Sequence, residues 1–160
     1  MVVGIRVKPV RSYRVASMLR VGPYSRNMLR SEFTQLKNWA KRKGLRTGTW
    51  FLYFIDEPGG RRPANKLRSE ACLEIKGKAV KSEGKVKVKK LPKQTVASVT
   101  FNPDKISPGL VYAGIWGWIQ WRNYKDAGLS REVYSGSPWR DKRAWANTEV
   151  QLPIKRKRRK

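Results

Sequence analysis

The sequence contains the same pattern of elements twice, and this repeat constrains the fold more than any single motif. In the first copy, residues 50–55 and 67–75 have the pattern of two strands joined by a loop that contains proline. In the second copy, residues 130–134 and 147–154 follow in the same order, again with a polar loop between them. A segment that occurs twice in one chain is typical of two structural units that pack against each other.

Each copy also begins with a strand and a helix. Residues 14–21 have a short strand pattern that stops at Gly22-Pro23, and residues 96–99 repeat its Val-Ala-Ser motif. Apolar residues then recur at helical spacing, which predicts one helix over about 25–43 and another over about 109–122. The expected unit is therefore strand, helix, strand, strand, used twice.

Two such units predict an α+β fold with pseudo-two-fold symmetry. The antiparallel sheet would carry two helices on one face and leave a cleft on the other. We expect a single domain over residues 1–154, with one half at about 8–76, the other at 91–154, and a basic tail at 155–160. The basic residues between the halves, 77–90, are predicted to form a hairpin that turns at Glu83-Gly84, or else a solvated linker.

The charge of the chain narrows the classes of function. Lysine and arginine number 37 against 11 acidic residues, which gives a net charge of +26 over 160 residues. Residues 155–160 are all basic, but most of the charge lies in the body of the chain. Such a surface attracts polyanions, which in a cell means nucleic acid first and an anionic membrane less often.

Several residue types and patterns are absent from the sequence. No apolar run is long enough to span a membrane, and the first residues lack the apolar core of a secretion signal. The single cysteine, Cys72, cannot form an internal disulfide, so we expect a reduced, cytoplasmic protein without membrane contact. The lack of histidine removes the commonest general base and metal ligand, and we expect no metal and no cofactor.

We expect the basic segments to contact nucleic acid, together with one tryptophan. Trp139 lies among arginines and a lysine, a composition that suits base stacking beside phosphate contacts, although core packing is the alternative for this tryptophan. The expected contacts are Arg26, Arg30, Lys41, Arg42, Lys43, Arg61, Arg62, Lys78, Lys81, Lys85, Lys87, Lys89, Trp139, Arg140, Lys142, Arg143, Lys155, Arg156, Lys157, Arg158, Arg159 and Lys160.

The order and spacing of several short motifs resemble the GyrI-like effector-binding domain. The motifs are Val15-Ala-Ser-Met, Gly22-Pro-Tyr24, Leu36-Lys-Asn-Trp39-Ala, Asp56-Glu-Pro58, Glu70-Ala-Cys72, Leu91-Pro92, Arg131-Glu-Val-Tyr134 and the segment 148–154. The resemblance spans residues 8 to 154 approximately. It implies a tandem repeat with a cleft between the halves that accepts bulky, often cationic, aromatic ligands. The strong positive charge of this chain departs from the family, whose members are near neutral or acidic.

The resemblance also implies which residues line the cleft. In such domains a buried glutamate at the position of Glu132 neutralises the ligand, and we expect Tyr134, Glu149 and Glu70 to lie with it. These carboxylates could bind a cation or act as an acid or base; alternatively, they are paired with nearby arginines and are structural. Some stand-alone members are similar to hydrolases of strained, cyclopropane-bearing compounds, in which case Glu132 or Glu70 would direct a water molecule.

Three functions from different classes follow, and we favour the first. The first is a non-enzymatic nucleic-acid-binding protein, with structured RNA in the ribosome as the preferred partner and neighbouring ribosomal proteins as further partners. The alternative is a protein that binds or sequesters a small hydrophobic cation, and the third is a glutamate-dependent hydrolase. A cleft filled by tryptophan side chains, with Glu132 paired to an arginine, would contradict both of the latter.

Overall fold

The computed structural model describes residues 4–158, which form one antiparallel sheet with helices packed on it. The strands are β1 Arg6–Val10, β2 Tyr13–Val21, β3 Arg46–Phe54, β4 Arg68–Lys76, β5 Lys87–Leu91, β6 Gln94–Phe101, β7 Tyr124–Asp126, β8 Arg131–Tyr134 and β9 Thr148–Arg156. The helices are α1 Arg30–Arg42, α2 Pro108–Trp121 and α3 Lys142–Ala146, and a 3-10 turn lies at Ala64–Lys66. Within the described part of the chain, no helix is long and apolar enough to cross a membrane.

The order of the strands confirms the predicted tandem repeat. The sheet runs β1-β6-β9-β8-β3-β4-β2-β5, with β7 added to β9. From the centre outward, β3-β4-β2-β5 in one half corresponds to β8-β9-β6-β1 in the other. A pseudo-two-fold axis therefore passes between β3 and β8, and α1 and α2 are equivalent helices.

The outer strands β1 and β5 were not predicted as separate elements, and they exchange between the halves. β1 precedes β2 in the chain but pairs with β6, while β5 precedes β6 but pairs with β2. Only Arg11 and Ser12 connect β1 to β2, although these strands lie near opposite ends of the sheet. A flat sheet would place them several strand spacings apart. The sheet therefore curls into a half-barrel.

The basic connecting segment forms part of this exchange. Glu83 and Val86 form a bridge around a turn in which Gly84 adopts a positive φ of 58°. The turn thus lies where the sequence predicts it. However, β5 then pairs with β2, so the segment is not a hairpin with two long arms.

The two long helices cover one face of the sheet. Phe33, Leu36 and Trp39 of α1 pack in one core cluster, and Val111 and Ile115 of α2 pack in a second. Helix α1 begins later than predicted, because Leu29 has a left-handed conformation and the residues before it form turns. Its C-terminal end at Arg42 lies close to the predicted end at about residue 43, and Gly44 follows with a φ of 71°.

The opposite, inner face of the half-barrel holds a smaller cluster. Phe51 and Cys72 are fully buried there, and burial raises the pKa of the Cys72 thiol well above its ordinary value. Arg131 is 1% exposed on the same face; its Nε donates to Gln151 Oε1 and its Nη1 donates to the Tyr53 hydroxyl, both at 2.8 Å. Cys72 is therefore a small buried apolar residue and not a reactive thiol.

The end of the chain differs from the predicted tail. β9 continues through Arg156, and β7 pairs with it at Lys155 and Arg156. These two residues therefore belong to a strand, while Lys157 and Arg158 follow as exposed residues. Arg159 and Lys160, which were also expected to contact nucleic acid, lie outside the described residues.

Candidate ligand-binding site

The residues expected in one cleft lie on two faces of the sheet. Glu132 pairs with Leu52 and Val150, which lie on the helix-covered face with Tyr134. Glu149 and Glu70 lie on the inner face of the half-barrel, where a shallow groove contains Glu149. The expectation of a single cleft is therefore corrected. Strand alternation indicates which residues of one strand share a face, but the register between strands decides which faces coincide.

The two inner-face carboxylates are held by other side chains. The Lys89 ammonium donates to both carboxylate oxygens of Glu70 at 2.8 Å. Glu149 binds Lys8 Nζ at 2.7 Å and accepts hydrogen bonds from Ser98 and Gln151. Burial alone would raise the pKa of Glu149, but these three bonds outweigh it and lower the pKa. The contacts favour a structural role for both carboxylates.

Glu132 has different surroundings. The Tyr134 hydroxyl donates to Glu132 Oε1 at 2.6 Å, and the Tyr112 hydroxyl donates to Oε2 at 2.9 Å. Among residues 4–158, no lysine or arginine forms an ion pair with this carboxylate. Burial raises the pKa of Glu132, although both hydrogen bonds oppose the rise. The carboxylate is therefore available to a cationic group that enters from outside.

A cavity of about 410 Å³ lies beside Glu132, between α2 and the loop that follows β3. We call it the acidic pocket. Its lining is Tyr24, Phe54, Asp56, Glu57, Pro58, Pro108, Tyr112, Trp116, Ser130 and Glu132. Among the described residues, the lining contains four aromatic rings and three carboxylates, but no lysine or arginine. The volume falls within the range of about 300–1,000 Å³ that is usual for small-molecule sites.

Asp56 fixes the loop at the edge of the acidic pocket. Its carboxylate accepts hydrogen bonds from the Arg68 side chain and backbone, at 2.8–3.0 Å. The Arg68 side-chain bond is the main reason why the pKa of Asp56 falls to about 2. Tyr24 donates its hydroxyl to the backbone carbonyl of Asp56 at 2.8 Å. The next residue, Glu57, is exposed and forms no ion pair within the described part of the chain.

Sequence reasoning missed several residues of this pocket. Helix α2 contains no charged residue, and Tyr112 is its inward-facing residue with a polar tip, a hydroxyl that bonds Glu132. A tyrosine at an inward position of an uncharged helix is the sequence signal that could have identified Tyr112. Tyr24 was assigned only to a turn. Trp116 was not assigned to a ligand site. Their convergence depends on the pairing of β3 with β8, which no local pattern reveals.

The basic residues expected to contact nucleic acid lie on several separate elements. Most are exposed, but Lys43 forms an ion pair with Glu83 at 2.6 Å, Lys89 is bound to Glu70, and Arg62 lies 3.5 Å from Asp56. The exposed members that form no ion pair within the described part of the chain are Arg26, Arg30, Lys41, Arg42, Arg61, Lys78, Lys81, Lys85, Lys87, Arg140, Lys142, Arg143, Lys155, Arg156, Lys157 and Arg158.

The tryptophans near these residues are partly structural. Trp139 donates its indole N–H to the Arg26 carbonyl at 2.7 Å, and its ring lies about 6 Å from those of Phe33 and Trp50. The Arg26 guanidinium lies 4.2 Å above the ring of Trp145. Residues 4–158 contain no group of three or more acidic, cysteine or histidine side chains that could hold a metal ion.

Comparison with solved structures supports the fold. The EcmrR C-terminal domain is 19% identical, with a TM-score of 0.78 over 96% of this chain and 98% of that chain. EcmrR in complex with DNA is 18% identical, with a TM-score of 0.71; the match covers 96% of this chain but only 58% of EcmrR.

Two more distant structures have the same fold. A hydrolase encoded by lin2189 from Listeria innocua is 8% identical, with a TM-score of 0.62 over 94% of this chain and 91% of that chain. SAV2435 bound to tetraphenylphosphonium is 14% identical, with a TM-score of 0.54 over 95% of this chain and 94% of that chain. None of the curated proteins matches the sequence at a significant level.

The family comparison covers nearly the whole chain. The model of the GyrI-like small molecule binding domain matches residues 4–155, which include both halves of the sheet and the acidic pocket. The protein therefore belongs to the family of GyrI-like small molecule binding domains.

Proposed function

We propose that the protein binds a hydrophobic aromatic cation in the acidic pocket. The observation that supports this most strongly is the Glu132 carboxylate, which receives two tyrosine hydroxyls but no cationic side chain from the described residues. Aromatic faces attract cations, and the rings of Tyr24, Phe54 and Trp116 line the same pocket. Two features that would argue against a ligand, a cleft filled by tryptophan and a Glu132–arginine pair, are both missing from residues 4–158.

The overall charge of the protein does not prevent such binding. Charges are screened over about 8–10 Å at physiological ionic strength, so a ligand inside the pocket responds mainly to its nearest neighbours. The described residues that line the pocket include Glu132 and Glu57 and no lysine or arginine, while the nearby Arg68 and Arg62 are paired with the Asp56 carboxylate. The net charge of +26 would slow the approach of a cation more than it would weaken the bound state.

Calorimetric titration with tetraphenylphosphonium tests the proposal, because SAV2435, which has a similar fold, binds this cation. Triphenylphosphine oxide, a neutral aromatic compound, is the matched control ligand. We expect the cation to bind the protein, the neutral compound to bind much more weakly, and Glu132→Gln to remove the difference. Equal binding of both compounds by the unaltered protein would contradict the proposal.

The hydrolase interpretation concerns the same carboxylate. Glu70, the other candidate base, is bound by Lys89 on the opposite face of the sheet, so of these two candidates Glu132 alone could act on a ligand in the acidic pocket. Both oxygens of Glu132 already accept hydrogen bonds, which favours a binding role over proton abstraction. We expect any ligand to be recovered unchanged. Glu132-dependent breakdown of a cyclopropane-bearing compound would instead establish a hydrolase.

A second candidate function is the binding of nucleic acid, with cytoplasmic RNA and the ribosome as the preferred partners. The number of exposed cations that form no ion pair within residues 4–158 favours it, and these cations are spread over α1, β5, α3, the end of β9 and the loops between the elements. Each phosphate contact would contribute close to one unit to the slope of log affinity against log salt. Sedimentation of a lysate at increasing salt tests this function. The protein should migrate with ribosomal particles at low salt and leave them at high salt; migration as free protein at every salt concentration would exclude it.

A further inference from the structure

A second cavity lies against α1, on the same face of the sheet as the acidic pocket. It has a volume of about 210 Å³ and lies between α1 and the loop that follows β8. We call it the basic cleft. Among the described residues, its lining is Arg30, Thr34, Lys37, Asn38, Trp50, Ser137, Trp139 and Arg140, with three cations and no carboxylate.

The basic cleft is the pseudo-symmetric counterpart of the acidic pocket. The acidic pocket uses α2 and the loop after β3, whereas the basic cleft uses α1 and the loop after β8. Leu52 and Glu132 face each other directly across the pseudo-two-fold axis. Pro58 and Pro138 follow the ends of β3 and β8 at the same distance. The repeat therefore produces a cavity at both equivalent positions.

The residues that make the first cavity acidic are replaced in the second. Leu52 stands in place of Glu132, and Ser137 stands in place of Glu57. With Trp39 aligned on Trp118, Phe33 replaces Tyr112, so the hydroxyl that binds Glu132 is lost together with that carboxylate.

Cations take the place of the missing carboxylates. With the helices aligned as above, Lys37 replaces Trp116. Arg30 and Arg140 line the cleft from α1 and from the loop, and both are exposed. Because every charged group of the lining is positive, the cleft would attract an anion and repel the cation that the acidic pocket suits.

The remaining lining indicates an anion that carries an aromatic ring. Trp50 and Trp139 form one wall, and the Trp139 ring is anchored by the bond from its N–H to the Arg26 carbonyl. Lys37 Nζ lies 5.7 Å from the centre of the Trp50 ring. Indole rings stack on nucleobases, while arginine and lysine bind phosphate oxygens. Asn38 and Ser137 add polar side chains that could bind the edge of a base.

We propose that the basic cleft binds one nucleotide unit, with its base beside Trp139 and its phosphate among Arg30, Lys37 and Arg140. The volume is below the usual range of about 300–1,000 Å³ for small-molecule sites, so it suits a single ring system with the phosphate at the mouth. The unit is either a free nucleotide or a residue of a single strand. This inference does not depend on cation binding in the acidic pocket, and it gives the second candidate function a defined site.

Calorimetric titration of the whole protein, first freed of bound nucleic acid by a high-salt wash, tests the site. The probes are adenosine monophosphate, adenosine and inorganic phosphate. We expect the nucleotide to bind at least about tenfold more tightly than adenosine or phosphate alone, since only the nucleotide uses both the tryptophan wall and the cations. A nucleotide that binds no more tightly than inorganic phosphate would overturn the proposal.

A pair of matched double variants separates the site from general electrostatic attraction. Lys37→Gln with Arg140→Gln alters the cleft, whereas Lys93→Gln with Lys125→Gln removes the same charge from residues that neither line the cleft nor belong to the predicted nucleic-acid contacts. We expect the first pair to weaken nucleotide binding about tenfold and the second less than about twofold. All four side chains are exposed, so both variants should fold, and their unfolding midpoints check this. Equal losses in both variants would overturn the proposal.

Titration with a single-stranded RNA oligonucleotide distinguishes the two sources of the nucleotide. If the cleft variant loses affinity for the oligonucleotide and the mononucleotide alike, the unit belongs to a strand. If only mononucleotide binding falls, the ligand is a free nucleotide, and any RNA binding belongs to cations outside the cleft. An acidic peptide that binds the cleft as tightly as the nucleotide does would overturn the assignment.

Discussion

Trp50 on β3 and Tyr134 on β8 lie directly opposite each other in the sheet, and each contributes to a different cavity. Tyr134 donates its hydroxyl to Glu132 of the acidic pocket, while Trp50 lines the basic cleft. One cross-strand pair at the pseudo-two-fold axis thus joins two cavities of opposite charge. The duplicated architecture keeps both cavities, and a few substitutions between the copies decide which charge each one accepts.

Cation binding should increase as the pH rises. The cation needs the ionised form of Glu132, but burial raises the pKa of this group above its ordinary value of 4.5. The affinity for tetraphenylphosphonium should therefore increase through the raised pKa and then level off. In Glu132→Gln the affinity should be independent of pH and lower at the plateau by about 1.5–3 kcal/mol, which is about tenfold to a hundredfold. Calorimetry at several pH values measures both effects, and an unchanged pH profile in the variant would contradict the role of Glu132.

The stability of the ligand-free protein should show the opposite trend for the same group. The native state binds the proton of Glu132 more tightly than the unfolded state does. The protonated group therefore contributes fully to the free energy of unfolding below pH 4.5, and this contribution is lost as the pH rises through the raised pKa. Relative to Glu132→Gln, the unaltered protein should become less stable over this window. Urea unfolding of both proteins at matched pH measures the difference. A constant difference at all pH values would show that the group does not titrate within the window.

Acid should remove the contribution that the ionised Asp56 carboxylate makes to the stability of the folded protein. The Arg68 side-chain bond lowers the pKa of Asp56 from 3.8 to about 2, so its contribution is present above 3.8 and is lost as the pH falls toward 2. Asp56→Asn should therefore lose its stability difference from the unaltered protein in this acidic range. Thermal unfolding between neutral and acidic pH provides the measurement. A difference that persists at the lowest pH would argue that loop packing, and not the charge of Asp56, is responsible.

Tyr53→Phe should destabilise the inner face of the half-barrel. The Tyr53 hydroxyl accepts a hydrogen bond from the buried guanidinium of Arg131, whose Nη2 already lacks a partner among the described residues. Loss of the acceptor would leave a second buried nitrogen unpaired, at a cost of about 1–3 kcal/mol. Tyr13→Phe is the matched control, because Tyr13 packs against the same cluster. The free energy of unfolding of this variant should stay within about 0.5 kcal/mol of that of the unaltered protein. Urea unfolding compares the two variants, and similar losses would contradict the role of the hydroxyl.

Nucleic-acid binding should depend on the cations and not on the acidic pocket. Replacement of Lys85 and Lys87 by Gln removes two exposed cations from the β5 region and should reduce the salt slope of RNA affinity by up to about two units. Glu132→Gln should leave both the RNA affinity and its salt slope unchanged, because Glu132 lies in the acidic pocket beside α2. Fluorescence anisotropy over a range of salt concentrations measures the slopes. RNA affinity that responds to Glu132→Gln but not to the lysine changes would contradict this assignment.

The role of Glu132 in ligand binding was implied by the resemblance to the family, and it stays a prediction. The sequence by itself determined the repeat, the family and the positions of the main helices. These follow from local patterns: helical spacing placed α1 and α2, and alternation placed the strands that contain Glu132 and Glu149. The positive charge was equally visible, and it led to nucleic acid as the favoured partner. Only the tertiary structure placed Glu132 and Glu149 on opposite faces, brought Tyr112 and Trp116 to the acidic pocket, and opened the basic cleft beside Trp50. The physical reason is that register and long-range pairing, including the exchange of β1 and β5, result from the packing of the whole sheet and leave no local pattern in the sequence.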